Sequence, residues 1–194
     1  MVIESNSGRY DDDIKTIEPE FVTEADNLVL MRLIRADDAP LLIDLVSQLS
    51  AESRQRRFHT DITDISGDVL MSWAKELASV DNETLGGAVV AEIRDELDGR
   101  RIVGVARLGR LPSKPADPVA DAAVVVRDDY QEQGVGRELL RRLVLLARQM
   151  NVLYMSAFIE ADNTPAIRLF EDLELPTETT TVWGETTMLI EMPT

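Results

Sequence analysis

The chain has 194 residues, 44% of them hydrophobic, and its 36 acidic residues against 20 basic ones give a formal charge of −16. That length suits one good core and is short for two domains, and the charge repels nucleic acid and anionic membranes. With no cysteine and one histidine, His59, disulfides, thiolate metal sites and His-rich metal sites are excluded, so no metal is expected.

An acidic surface also serves solubility, so the charge carries little weight in choosing a substrate. No apolar run approaches the roughly 20 residues that span a bilayer. The opening MVIESNSGRYDDD lacks the basic start and apolar centre of a signal peptide, and a cytoplasmic location is expected.

Residues 1–25 are polar, acidic and without periodicity, and read as an extended or disordered leader. A single domain is expected over 26–194. It begins with a strand at 28–33, LVLMRL, after which Asp37 or Asp38 can cap a helix whose apolar stripe is Leu41, Leu42, Leu45, Val46 and Leu49. A helical turn follows from Ser50 through Arg57. A further helix over 67–79 is expected to turn Val69, Leu70, Trp73 and Leu77 inward, with Trp73 and the leucine stripes in the core.

The segment 87–94, GAVVAEIR, reads as a strand, 96–99 as the turn of a hairpin and 101–111 as its partner, before a loop at 112–118. Ala120 to Val126 is dominated by valine and alanine and reads as a central strand buried on both faces. Gln131, Gly134 and Gly136 follow with the spacing Q-x-x-G-x-G. A helix begins at once, with Leu139, Leu140, Leu143, Leu146 and Ala147 on one face. Such a turn leaves the first helical N–H groups without partners and removes the Cβ atoms that would keep an anion away, which makes a ready phosphate site. It is not a P-loop, since no Gly-Lys-Ser/Thr follows, and it lacks the third glycine of the dinucleotide fingerprint. A second apolar strand, 152–159, breaks at 161–163 into a helix carrying Pro165 in its first turn. The chain closes with a threonine-rich pair, 178–182 and 186–192.

Residue for residue, the strand, Q-x-x-G-x-G and helix resemble the acyl-CoA signature of the GNAT acetyltransferases. The segment 152–170, VLYMSAFIEADNTPAIRLF, is similar to that family's second CoA contact, a strand followed by E-x-N-x-x-A-x-x-L-Y. The resemblance implies an α/β (α+β) architecture, the GNAT fold: a mixed, mostly antiparallel sheet of six or seven strands, helices on both faces, and a splay between the two central strands. It implies acetyl-CoA as cosubstrate, held by the loop amides and by Val124, Val125, Val126, Gln131, Glu132, Gln133, Gly134, Val135, Gly136, Arg137, Asn163 and Phe170. The partners implied are an acyl-CoA and an amine acceptor. Family members are monomers or dimers, so a homodimer is admitted.

The chemistry implied is acyl transfer from a thioester to an amine. A lysine-like amine of pKa about 10.4 is almost wholly protonated at neutral pH, so the site needs a proton acceptor. It also needs a backbone N–H aimed at the thioester oxygen, a place that Val124 to Val126 match. Asp121 is the first choice of base, standing where many relatives carry glutamate; being one methylene shorter, it favours a water relay, and its alternative role is a solvated strand end. Glu160 is the reserve. Phe170 replaces a tyrosine thought to protonate the departing thiolate, and at a thiol pKa of about 8.5 solvent can deliver that proton. Its remaining role is packing against the pantetheine arm. Glu132 occupies a loop position that is often glycine, and Arg137 could offset its charge. Arg54, Arg56 and Arg57 form a basic patch, either a solvated helix face or a contact to an acidic acceptor or the CoA phosphate, and His59 reads as a surface histidine. With no cysteine for an acyl-enzyme, a direct ternary-complex mechanism is expected. The segment 49–58, LSAESRQRRF, resembles the acceptor side of bacterial protein lysine acetyltransferases, making a protein lysine the expected acceptor. The alternatives are a small amine such as an amino acid, polyamine or antibiotic, and a non-catalytic CoA-binding regulatory module.

Overall fold

The computed structural model describes residues 10, 14, 18–58, 66–95 and 99–193; His59 and most of the turn expected at 96–99 lie outside the described residues. In chain order the elements are β1 (Glu20–Val22), β2 (Leu28–Leu33), α1 (Ala39–Gln48), α2 (Ala51–Phe58), α3 (Gly67–Ala78), β3 (Gly86–Asp95), β4 (Gly99–Gly109), β5 (Val119–Val126), α4 (Val135–Gln149), β6 (Tyr154–Glu160), α5 (Thr164–Glu171), β7 (Thr177–Val182) and β8 (Glu185–Glu191). They form one eight-stranded sheet in the order β1-β2-β3-β4-β5-β6-β8-β7. Every neighbouring pair is antiparallel except β5 beside β6. Parallel neighbours need a long crossover, and α4 supplies it.

The sheet separates two cores. On one face α4 buries Leu139, Leu140, Leu143 and Leu146 against Val103, Ala106, Leu108, Ala122 and Met155. Each such leucine contributes about 1.5–3 kcal/mol of apolar burial, which anchors the helix and the loop in front of it. On the other face α1 and α3 close over Val90, Ile102 and Val105 through Leu42, Leu45, Ala74 and Ala78. A bulge in β4 sets Gly104 opposite Ala91 but Ile102 opposite Glu92, leaving Val103 as an extra residue. The Val103 carbonyl accepts the Arg127 N–H (2.8 Å) at the far end of β5.

Five expectations are corrected. The stretch taken as leader contains β1, paired with β2, and two of its other described residues are tied down: the Tyr10 hydroxyl donates to the Leu173 carbonyl (2.8 Å) and Arg142 Nη2 to the Glu18 carbonyl (2.6 Å). The strand count is therefore eight. Trp73 is 46% exposed and Val69 42%, because α3 buries its alanines, not its largest side chains. β5 is only partly buried at Ala123, Val124 and Val125, because one flank opens onto a cleft. Asp38 stands at the start of α1 without a side-chain cap to that helix.

Asp38 instead belongs to a buried ion network. Arg32 donates to both Asp38 oxygens (2.7 Å each) and to Glu92 (2.6 Å), while Arg100 reaches Asp38 (3.1 Å) and Glu92 (3.0 Å). The network ties β2, β3 and β4 to the start of α1. Burial alone would raise both carboxyls, but the hydrogen bonds and charges of Arg32 and Arg100, with the Arg35 N–H on Asp38, outweigh it and hold both below their ordinary values. Their stabilisation is therefore complete above the unfolded carboxylate range, about pH 4, and is lost as pH falls through the lower folded values.

Removing one partner strands buried charge, so Arg32→Ala is expected to cost about 3–5 kcal/mol in urea unfolding at pH 7. Wild-type stability should fall below about pH 4 more steeply than that of the variant.

Candidate active site

The sheet opens at its centre. β5 and β6 share register only over Val119, Ala120 and Asp121, the last opposite Ser156. The Arg127 N–H bonds the Val103 carbonyl on the β4 side, while the Pro118 carbonyl accepts from Leu153 and Tyr154 on the β6 side. Backbone direction alternates along a strand, so even-numbered residues of β5 point their N–H groups toward β6. The Val124 and Val126 N–H groups thus face the side on which β5 has no register partner in β6 beyond Asp121. The Val125 N–H is turned to β4.

Around this gap lies a cleft of about 760 Å³. One end is the loop that enters α4. Gly134 stands just before the helix in left-handed backbone (φ 83°), where a Cβ would come 3.2 Å from the Phe21 ring, and Glu132 is also left-handed (φ 56°). The first intrahelical bond runs from the Glu138 N–H to the Gly134 carbonyl, which leaves the N–H groups of Val135, Gly136 and Arg137 without helical partners at the positive end of the dipole. A Cβ on Gly136 would lie 3.0 Å from the tip of the Leu169 side chain, which would have to give by a few tenths of an ångström to admit it. The glutamines tie the loop down: Gln131 donates to the Val126 carbonyl (3.0 Å) and Gln133 to the Asp129 carbonyl (2.7 Å).

α2 is fastened across the mouth of the cleft. Asp128 accepts from the Ser50 N–H (2.8 Å) and from the hydroxyls of Ser50 (2.7 Å) and Ser53 (2.8 Å). Partial burial would raise the Asp128 carboxyl, yet these donors hold it below its ordinary value. On the other side Arg56 donates to Asn163 Oδ1 (3.2 Å), the same oxygen that caps α5 through the Ala166 N–H (3.3 Å).

The structure brings most of the expected residues to this cleft. Asp121, Val124, Val125, Val126, Gln131, Glu132, Gly134, Gly136, Arg137, Asn163 and Phe170 line it, and Arg137 also pairs with Asp172 (3.1 Å). Phe170 is buried in the wall, Val135 is wholly buried and offers only backbone, and Gln133 is engaged in the loop. Glu160, at the end of β6, is not among the lining residues. Sequence reasoning missed Glu24, Arg107 and Phe158, which line the cleft from the segment taken as leader, from β4 and from β6. Phe158 is 51% exposed, and an apolar residue in a strand gives no sign that its sheet opens beside it.

The family model for the acetyltransferase (GNAT) family matches residues 49–174. No curated protein sequence matches the chain significantly. Among solved structures, the chain is similar to the GNAT domain of the PAT protein of Streptomyces lividans (S. lividans), with 21% identity, 89% of this chain and 95% of that one covered, and a TM-score of 0.74. It is similar also to a ribosomal-protein-alanine N-acetyltransferase from Brucella melitensis (21% identity, 84% and 99% covered, TM-score 0.61). A third is YncA from Salmonella typhimurium, solved with its cofactor acetyl-CoA (21% identity, 84% and 94% covered, TM-score 0.57). No cluster of three or more metal-ligating side chains occurs among the described residues, and no described helix is long and apolar enough to cross a membrane.

Because Asp128 caps α2 from a different segment, Asp128→Ala is expected to cost about 1 kcal/mol and to speed hydrogen exchange of the α2 amides while leaving α4 unchanged. Equal acceleration in both helices would contradict this local role.

Proposed function

The chain belongs to the acetyltransferase (GNAT) family, and from that premise we propose that it moves the acetyl group of acetyl-CoA directly to the side-chain amine of a protein lysine. One observation carries this: β5 and β6 share no register beyond Asp121, and there Val124 and Val126 line the same cleft as Asp121 and the glycine loop before α4. The glycine loop fits a pyrophosphate, since Gly134 and Gly136 remove side chains where three helical N–H groups face outward. The likeness to the PAT domain of S. lividans supports a protein acceptor.

Acetyl-CoA supplies an activated acyl group, a thioester whose sulfur leaves as a thiolate when an amine adds to its carbonyl carbon. The Val124 N–H is the donor for the carbonyl oxygen, where negative charge develops. It is held by a strand bonded on its other edge to β4, so it needs no reorganisation. Asp121 exposes its carboxylate on the face of β5 that carries Ala123 and Val125, toward α2, and takes the amine proton directly or through one water. Phe170 forms apolar wall beside the pantetheine path, and the thiolate is protonated by solvent. The absence of cysteine favours direct attack over an acyl-enzyme on a thiol.

Calorimetry should show acetyl-CoA binding to the wild type and at least about tenfold weaker binding to Gly134→Glu, which places a carboxylate and a strained residue in the anion loop. Asp121→Asn should lower kcat for thiol release on lysine-bearing proteins by about 100-fold with little change in the affinity for acetyl-CoA. An unchanged kcat would remove Asp121 from the mechanism.

A further inference from the structure

Two arginines on the acceptor side of the cleft stand together with no carboxylate in ion-pair distance among the described residues. Arg57 lies near the end of α2 and Arg107 on β4 opposite Ala123, and both line the cleft with Asp121. The Arg107 guanidinium lies over Gly109, with Nη2 3.4 Å from where a Cβ would be, and Gly109 is the register partner of Asp121. Burial, and then the neighbouring Arg107 charge, lower Arg57 to about 10, so it remains cationic at neutral pH. Among the described residues no carboxylate is within ion-pair distance of either, in a chain where Arg32, Arg56, Arg100, Arg127 and Arg142 each have one. The neighbour of Arg57 is the Phe58 ring, 5.2 Å away. Two half-buried like charges repel and are costly to desolvate, and an entering carboxylate offsets both effects.

Beside them lies a second cleft of about 600 Å³, walled by Leu42, Val46, Phe58, Leu70, Trp73 and Leu77. It shares Arg57, Arg107 and Val125 with the first. From Asp121 outward the surface thus runs from anion to paired cations to apolar wall.

We propose that the acceptor carries a carboxylate close to its reacting amine, that Arg57 and Arg107 hold this carboxylate, and that an apolar part of the acceptor enters the second cleft. The inference deepens the transfer function above and rests on it for the amine. The carboxylate comes from an acidic residue beside a target lysine or from a free apolar amino acid, and the site's chemistry is the same for both.

The test gives the enzyme acetyl-CoA and two pairs of acceptors, with thiol release as the readout. One pair is a lysine peptide with glutamate beside the lysine and the same peptide with glutamine; the other is phenylalanine and its α-amide. The acetylated products of both pairs are titrated calorimetrically into the CoA complex, which needs no turnover. The carboxylate member of at least one pair should be favoured by about tenfold or more in kcat/KM and in product binding, and Arg107→Gln or Arg57→Gln should bring the ratio within about twofold. Preference within the peptide pair assigns the carboxylate to a protein side chain, and preference within the amino-acid pair assigns it to a free acid. Ratios near one for the wild type in both pairs and both assays would overturn the proposal. Carboxylate-selective product binding that Arg107→Gln erases, without thiol release from any amine, would remove the transfer function and leave the carboxylate site standing.

Discussion

The site exists because β5 and β6 pair over three residues and then part. Parallel pairing at Val119 to Asp121 sets the two strands side by side, so the ends that diverge are those facing α4 and α5. A strand that loses its neighbour exposes backbone donors, a liability at a sheet edge and a resource at a sheet centre. Here the other edge of β5 stays bonded to β4 as far as Gly104 and the bulged Val103. The Val124 and Val126 N–H groups are thus held by the β4 side of the strand, and a held donor is what charge development in the proposed acyl transfer needs. Everything else in the site is arranged along that opening.

The two faces of the sheet divide the work. The α4 face is a dry leucine core whose purpose for function is to hold the Gly134 loop still. The opposite face is thinner, since α3 offers alanine to the core and leaves Trp73 over a cleft. This face also carries Asp121, Arg57 and Arg107. In the proposed function donor and acceptor therefore approach β5 from different sides: the glycine loop and the even-numbered N–H groups would serve one, and the odd-numbered side chains the other. α2, fastened to Asp128 at one end and to Asn163 through Arg56, spans the boundary.

Much of this was legible in the chain. Q-x-x-G-x-G between a valine strand and a leucine-striped helix is a local pattern, and local patterns survive folding: Gly134 is left-handed and α4 buries the expected leucines. The family model match agrees with the resemblance drawn from those residues. What escaped depends on distance or brevity. β1 is three residues long, too short for any periodicity, and exists through its pairing with β2. Asp38 looked like a helix cap because its partners, Arg32, Glu92 and Arg100, come from three separate strands. Trp73 looked like core because a helical stripe marks the face toward the sheet without saying whether the sheet is reached. Arg107 gave no sign at all, since a charge in a strand means something only once Gly109 and Asp121 are known to be neighbours.

The proposed transfer turns on the state of two amides, and hydrogen exchange at Val124 and Val126, followed residue by residue with and without acetyl-CoA, reads it most directly. Both N–H groups should exchange far faster than that of Val125 in the free protein, and Val124 should become strongly protected when acetyl-CoA binds. If Val124 is already as protected as Val125 without ligand, or gains nothing on binding, the splay does not present the donor on which the proposed chemistry depends.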